Sequence, residues 1–432
     1  MYFTEKHIIS PEHEFYKEID KITFLSKNLY NKANYYVRQV FINTSYLKEE
    51  GIVEHATYIN YHDVRKIMIK DVDYIALPRK VSNHVLKQLD KNWVSFFASI
   101  KDYGKNQTKY SGKPKLPNYK DKTNGRCGLS YELGAISTKE RKKGYIKLSG
   151  TEIKVPFINT EYKLIGSRIV VLPTGYFKIE IIYDRPVESQ KLPDGKFLGI
   201  DPGVNNLVTL TSNKLGLKPI IVNGGPVKSI NQYYNKELAK MRSELPDGVY
   251  NSKAMQCLTE KRNNKIEAYF HKTSNLVIET AQFMELGHIV IGKNIGWKDE
   301  VDMGKKNNQN FVSIPFEKLF AQIKYKAELL GITVEFVEES YTSKSSFLNS
   351  DPIPCYEKEK GVKARHIFSG YRESRGMYKI RGKKIRINAD VNGSYNIIRK
   401  AAPNAFIDGV EGFAVIPVKV TFHENKKTIY FQ

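Results

Sequence analysis

After Gly195 the apolar runs follow one another in an order that few folds accept: three strands, then helix, strand, helix, strand. FLGID, NLVTLTS and KPIIVNG are separated only by short turns, so they pair as hairpins. HIVIGKN (288–294) and ITVEFVEE (332–339) each follow a helical stretch, at 253–286 and Ile314–Leu330. Ile266, Phe270, Val277, Ala281 and Met284 share one side of the first stretch at helical spacing. Hairpin strands followed by alternating helices and strands predict a mixed sheet with helices on its faces. NGG at 223–225 breaks the run, and no helix is assigned between it and residue 253.

Three acidic segments punctuate this pattern. Asp201 ends FLGID, Glu338 and Glu339 close VEFVEES, and Asp390 opens the helical stretch DVNGSYNIIRK. Gathered by a fold, such carboxylates make a site for two divalent cations about 4 Å apart, able to hydrolyse a phosphodiester. Magnesium takes oxygen ligands and keeps several waters, so three or four acids on rigid elements suffice. Each acid also has an ordinary explanation: an Asp after a strand commonly begins a turn, and an Asp at a helix start is commonly a cap.

The 432 residues exceed one ordinary core, so more than one domain is expected. MYFTEKHII reads as a strand, residues 12–103 as helices, and 129–185 as short strands punctuated by Gly and Pro, which suggest an antiparallel barrel or sandwich. The first strand can pair into that set, leaving the helices as an insertion, and KLPDG (191–195) reads as a boundary. The 69 Lys and Arg against 46 Asp and Glu leave a net charge of +23, which makes nucleic acid the default partner. Residues 101–150 alone hold 13 Lys and Arg against 4 Asp and Glu, interleaved with tyrosines. Lys113, Lys115, Tyr119, Lys142 and Lys143 are the candidates there, since cations neutralise phosphates while rings accept stacked bases, as single-stranded or structured RNA requires. A solvated lysine-rich loop is the plainer reading of the same residues. No run of about 18 apolar residues, signal peptide or lipidation motif points to a membrane. Cys127, Cys257 and Cys355 are too few and too scattered for a disulfide framework or a four-cysteine zinc site, and the chain reads as reduced and cytoplasmic.

As a set, the acidic segments resemble the RuvC-type nuclease of the TnpB family, transposon-encoded RNA-guided endonucleases related to type V CRISPR effectors. GIDPGVNNLVTL resembles the first RuvC motif and DVNGSYNIIRK the third, while YFHKTSN (269–275), LPNYKDK (116–122) and YTSK (341–344) match further signatures. The resemblance implies an α/β RNase H-like (RuvC) nuclease domain, which here spans 193–402; this chain carries a basic insertion in it at about 345–386 and a C-terminal tail at 403–432, in which FAVIPVKVTF reads as a stray strand or a disordered segment. It also implies an N-terminal wedge-like β-barrel domain (1–10 and 116–192) interrupted by a helical recognition domain (11–115). The implied activity is cleavage of target double-stranded DNA next to a short transposon-adjacent motif. A transposon-derived guide RNA and two Mg2+ ions belong to it, in a nucleoid-associated prokaryotic setting.

The chain departs from the family twice. The second motif usually carries its glutamate where HIVIGKN has Gly292. In the implied strand order 3-2-1-4-5, ITVEFVEE lies one strand beyond HIVIGKN, and strands are about 4.8 Å apart. A glutamate on the outer strand can reach across the slot that Gly292 leaves open. Side chains alternate along a strand, so only one of the two glutamates can face the metals. Glu339 is favoured by the spacing to Tyr341 that the resemblance implies, with Glu338 in reserve and Glu300 third. The second departure is zinc: where relatives often hold a four-cysteine ribbon, this chain has Ser345, Ser346 and a single Cys355, so no structural zinc is expected. The basic stretch that stands there contributes Arg365, Arg372 and Arg381 as further nucleic-acid contacts. The expected catalytic and metal-ligating set is thus Asp201, Glu339 and Asp390. The alternatives are a nuclease-dead RNA-guided repressor and a guide-independent structure-selective nuclease.

Overall fold

The computed structural model describes residues 1–187, 193–293, 312–354, 366–374, 376–407, 409 and 416–422. They fall into two compact units, Met1–Arg185 and Pro186–Gln432, so the division lies a few residues ahead of KLPDG.

In the first unit the strands are β1 (Tyr2–Ile9), β2 (Leu129–Glu132), β3 (Tyr145–Lys147), β4 (Lys154–Pro156), β5 (Lys163–Val171) and β6 (Phe177–Asp184). β1 pairs antiparallel with β6 from Tyr2↔Asp184 to Ile9↔Phe177, although the helices Tyr16–Glu49 and Arg79–Lys105 lie between them in sequence. Those helices bury Ile19, Leu29, Ala33 and Val37 with Val81, Val85, Leu89 and Trp93, one apolar stripe from each. The indole N–H of Trp93 donates to Asn34 at 3.0 Å, which satisfies the one polar atom that the ring carries into the core. The strands expected to close a barrel instead form, among the described residues, an open sheet β1-β6-β5-β2 and a separate ribbon of β3 and β4. The reason lies in strand length: β2, β3 and β4 hold three or four residues each, too few rungs to bridge the sheet edges.

The second unit is built on a six-stranded sheet. Its strands are β7 (Phe197–Pro202), β8 (Asn206–Ser212), β9 (Ile220–Asn223), β10 (His288–Gly292), β11 (Thr333–Val337) and, at the far edge, β15 (Val418–Val420), in the order β11-β10-β7-β8-β9-β15. β12 (Gly370–Ser374), β13 (Met377–Ile380) and β14 (Arg386–Asn388) make a small antiparallel sheet of their own. β7, β8 and β9 are antiparallel neighbours, whereas β10 and β11 add in parallel, as strands that return through helices must.

Alternation decides what each face carries. Leu198, Ile200, Ile289 and Ile291 pack with Ile266, Phe270 and Val277 of the helix Lys253–Phe283 and with Leu319, Phe320 and Ile323 of the helix Phe316–Glu328. The residues between them, Gly199, Asp201 and Gly292, point to the opposite face, where the helix Ala389–Ala401 crosses β7, β8, β10 and β11.

One element was missed in the sequence. A helix spans Gly225–Ser243, with proline in its first turn, directly after the NGG read as a break. Of the two readings of FAVIPVKVTF, the strand is the one formed at Val418–Val420: β15 pairs in parallel with β9, the Asn223 amide donates to Thr421 Oγ1 at 3.1 Å, and Phe422 packs on Tyr269.

The stretch that relatives often fill with zinc is organised here by a carboxylate. Asp351 Oδ2 accepts from the backbone N–H of Ser346 at 2.8 Å and of Ser369 at 2.9 Å, joining two chain segments 18 residues apart. Asn392 and Asn396, on the crossing helix, each donate to the Ser345 carbonyl at 2.8 Å. Phe347 stacks on Tyr395 with ring centroids 4.3 Å apart. Among the described residues, no group of three or more His, Cys, Asp or Glu stands in metal-chelating array.

Candidate functional site

Asp201 sits near the end of β7, on the face toward the crossing helix, and the helix approaches it closely because residue 393 is glycine. A Cβ at Gly393 would lie 2.6 Å from Asp201 Oδ2, well inside any real contact. The next residue, Ser394, seats the helix: its buried hydroxyl is 2.9 Å from Thr211 Oγ1 and within hydrogen-bond reach of the Gly199 and Thr209 carbonyls.

Asp390 is in the first turn of that helix, but the cap is Asn388, whose side chain accepts from the N–H groups of Asp390 and Val391. The Asp390 carboxylate is therefore released from capping. Asn206, opening β8, donates to its Oδ2 at 2.7 Å, and the Arg372 guanidinium lies 3.8 Å from its Oδ1.

A second glycine makes room for Glu339. A Cβ on Gly292 would come 3.1 Å from Glu339 Oε2 and 2.6 Å from Ile397 Cδ1. The Glu339 carboxylate thus lies against Gly292, over the space that a side chain on β10 would fill. Val337 is the register partner of Gly292, so Glu339 is two residues past it on the chain leaving β11. Glu338 goes elsewhere: it forms an ion pair with Lys400 and accepts from the Ser340 N–H at 3.1 Å. Burial pushes its pKa up, but Lys400 and Ser340 outweigh burial and hold the carboxyl below the usual glutamate range.

Electrostatics tie the three acids together. Asp201 retains some accessible surface but is deeply surrounded by protein, so solvent touches it without fully hydrating it. That desolvation, then the charges of Asp390 and Glu339, push its carboxyl well above the ordinary aspartate range, and Arg372 offsets only part. The three side chains do not converge tightly enough to chelate a single ion. Two cations about 4 Å apart ask for less, because each takes only one or two carboxylates and completes its shell with water and phosphate. The donor set, all carboxylate oxygen, suits a hard cation, and a bound cation would relieve the repulsion focused on Asp201.

The basic candidates divide into separate places. Lys113, Lys115 and Tyr119 lie along the helices of the first unit, all three exposed. Lys142 and Lys143 line a different hollow of about 710 Å3, shared with Arg141, Tyr162 and Lys163. Arg372, on β12 beside a break in the β12–β13 register, is the one that reaches the acids. Arg381 lies over the Tyr371 ring at 5.5 Å. Arg365 and Glu300 are outside the described residues. Asn206 and Gly393 escaped notice in the sequence, though each stands within a quoted motif. No helix among the described residues is long and apolar enough to cross a membrane.

A mixed sheet ordered 3-2-1-4-5, with an acid at the end of its first strand and a crossing helix that brings another, is the RNase H-like fold of RuvC-type nucleases. Comparison with known proteins agrees. Residues 180–298 match the family described as a probable transposase, OrfB_IS605, and residues 316–397 match a Cas12f1-like TNB domain. A curated relative, the CRISPR-associated endodeoxyribonuclease Cas12f2 of Micrarchaeota archaeon (strain CG1_02_47_40), is 29% identical over 236 residues, 53% of this chain and 41% of that protein. The chain matches about two-fifths of that relative's length. Among solved structures, the Cas12f1 chain of a Cas12f1–sgRNA–target DNA complex aligns with a TM-score of 0.50 at 15% identity, covering 87% of this chain and 82% of that one, a likeness of fold. The mini-RNA-guided endonuclease CRISPR-Cas_phi3 aligns at a TM-score of 0.46 and 10% identity, over 93% and 92%. Over these stretches the chain is similar to TnpB-type transposases and to the type V effectors.

Proposed function

We propose that this protein is an RNA-guided DNA endonuclease of an insertion-sequence element. It cleaves target DNA next to a short transposon-adjacent motif, with Asp201, Glu339 and Asp390 as the ligands of two magnesium ions. The observation that carries this reading is the Glu339 carboxylate lying against Gly292, in electrostatic contact with a desolvated Asp201. The relatives support it: the curated one is named an endodeoxyribonuclease, and the Cas12f1 structure is of a complex with a guide RNA and target DNA.

When bound, the metals would supply Lewis acidity to the attacking water and to the leaving 3′ oxygen. The protein's own part is to hold the oxygens in place. β7 fixes Asp201 rigidly, the Asn206 amide orients Asp390, and Gly393 lets the helix bring Asp390 close. Arg372, about half exposed beside Asp390, would take a non-bridging phosphate oxygen of the strand being cut. Sequence selection falls to guide pairing, while the protein holds the duplex by shape and backbone through its surplus of cations.

The test is cleavage of a guide-matched DNA in magnesium by the protein purified with its flanking RNA. Asp201→Ala and Glu339→Ala should abolish cutting while leaving guide-dependent DNA binding intact. Cutting by Asp201→Ala would defeat the nuclease assignment. An inactive wild type that still binds DNA through its guide would point to the repressor.

A further inference from the structure

The loop carrying Lys113, Lys115 and Tyr119 is held rather than loose. One face of the helix Tyr16–Glu49 presents Lys27, Asn31, Asn34 and Arg38, spaced four, three and four residues apart, as a polar ladder. Lys27 donates to the Lys122 carbonyl at 2.7 Å, and Asn31 both donates to the Lys120 carbonyl and accepts from its N–H at 2.8 Å. Asn34 and Arg38 each donate to the Pro117 carbonyl at 3.0 Å. With its backbone fixed in this way, the strap leaves Lys113, Lys115 and Tyr119 exposed.

Beneath Lys113 and Lys115 lies a hollow of about 600 Å3, within the range of roughly 300–1,000 Å3 typical of ligand sites. Its floor is Phe41, Phe96 and Phe97, whose ring centroids are 5.3 to 6.4 Å apart, and its rim is Arg38, Lys113 and Lys115. No acid is among the residues that line it. A second hollow of about 390 Å3 adjoins it across Pro114 and Lys115 and offers Asn92, Ser95, Ser99 and Tyr119. Tyr119 is braced on its far side by Arg38, 5.1 Å from the ring.

An aromatic floor under a purely cationic rim matches a flat, apolar-faced group that carries anions. We propose that this hollow takes an unstacked base of single-stranded RNA, with its flanking phosphates on Arg38, Lys113 and Lys115. Hydroxyl and amide groups in the adjoining hollow would meet the 2′-hydroxyl of the neighbouring nucleotide, which is the reason for assigning RNA. The proposal deepens the RNA-guided reading and rests on it for the presence of RNA.

The test uses the full chain and a short single-stranded RNA bearing one 4-thiouridine or one 2-aminopurine. Photocrosslinks should map to residues 96–97 or 113–119, and 2-aminopurine fluorescence should change on binding. Lys113→Ala/Lys115→Ala should lower the slope of log affinity against log salt by about 1.4, two phosphates' worth for a single strand. Phe97→Leu keeps an apolar side chain and removes a ring; the lost contacts with Phe41, Tyr58, Trp93 and Phe96 should lower the melting temperature by some degrees with the protein still folded at assay temperature, and binding by that folded protein should weaken about 5- to 10-fold, the low end of base stacking. Crosslinks that fall wholly elsewhere, or an unaltered 2-aminopurine response in Phe97→Leu, would overturn the pocket. Equal crosslinking by the matching DNA strand would overturn the assignment to RNA. Neither result would touch the nuclease reading, which stands or falls on guide-directed cutting by wild type and Asp201→Ala.

Discussion

Gly292→Ala puts the linked placement of Gly292 and Glu339 under direct strain. The added methyl would start 2.6 Å from Ile397 Cδ1 and 3.1 Å from Glu339 Oε2, where ordinary contact begins at 3.4 Å. Ile397 must therefore retreat by about 0.8 Å and the carboxylate by about 0.3 Å, or both side chains must change rotamer. Over-packing of this kind costs about 1–3 kcal/mol, a fall of roughly 2–12 °C in melting temperature for a unit of this size. That loss leaves the protein folded at assay temperature. Activity should fall further, by about 10- to 100-fold, because a misplacement approaching 1 Å can cost about 100-fold in rate. Cleavage of a guide-matched duplex at saturating magnesium, beside a thermal melt and guide-dependent DNA binding, separates the two effects. If Gly292→Ala cuts at the wild-type rate while Glu339→Ala is inactive, the carboxylate acts from some other position. If both cut normally, Glu339 is no ligand at all.

Other perturbations address what surrounds the site. Among the described residues, Glu338→Ala leaves Lys400 the Ser340 and Pro354 carbonyls, with 12% of its side chain exposed; it should cost about 1–3 kcal/mol in a denaturant melt and leave the cleavage rate of the folded protein near wild type. Asp351→Ala strands two backbone N–H groups at once, so a loss of about 3–5 kcal/mol is expected, while a zinc-selective chelator should not move the wild-type melting temperature. Lys326, wedged against Ser274 and Asn275 at 2.6 Å each, is pulled by burial from 10.5 to about 8, Glu279 opposing. Between those values the unfolded chain binds the extra proton, so this residue's contribution to stability rises with pH from about 8 to 10.5. Lys326→Met should flatten that rise in melts taken at pH 7.5 and 9.5, measured relative to wild type.

Much of the second unit was legible because its signals are local. Alternating Leu198 and Ile200 against Gly199 and Asp201 mark two buried faces of one strand, and the long helical periods mark the parallel crossovers. The helix Gly225–Ser243 was not legible: it buries only Val227 and Asn231, so its apolar pattern is faint and its proline was the one usable sign. β15 was left undecided for a different reason, since three residues become a strand only when β9 offers an edge. Asp390 looked like a cap from its position alone; that Asn388 takes the role depends on where the β14 backbone delivers the chain. The barrel failed because the strand count says nothing about whether strands are long enough to close.

A metal site constrains where carboxylate oxygens lie, not which residue number supplies them. Adjacent parallel strands about 4.8 Å apart offer two routes to one point: a short reach from the inner strand, or a longer one from just past the end of the outer strand. The second route exists only if the inner strand gives up its side chain. Here β10 ends in Gly292, and Glu339 leaves the chain two residues beyond the register partner of that glycine. A search that asks only whether the β10 position holds an acid would class such a chain as nuclease-dead. Asking for glycine there together with a glutamate two residues past its partner on β11 would keep it among the candidates for cutting, and would sort it from relatives that have lost the acid without replacing it.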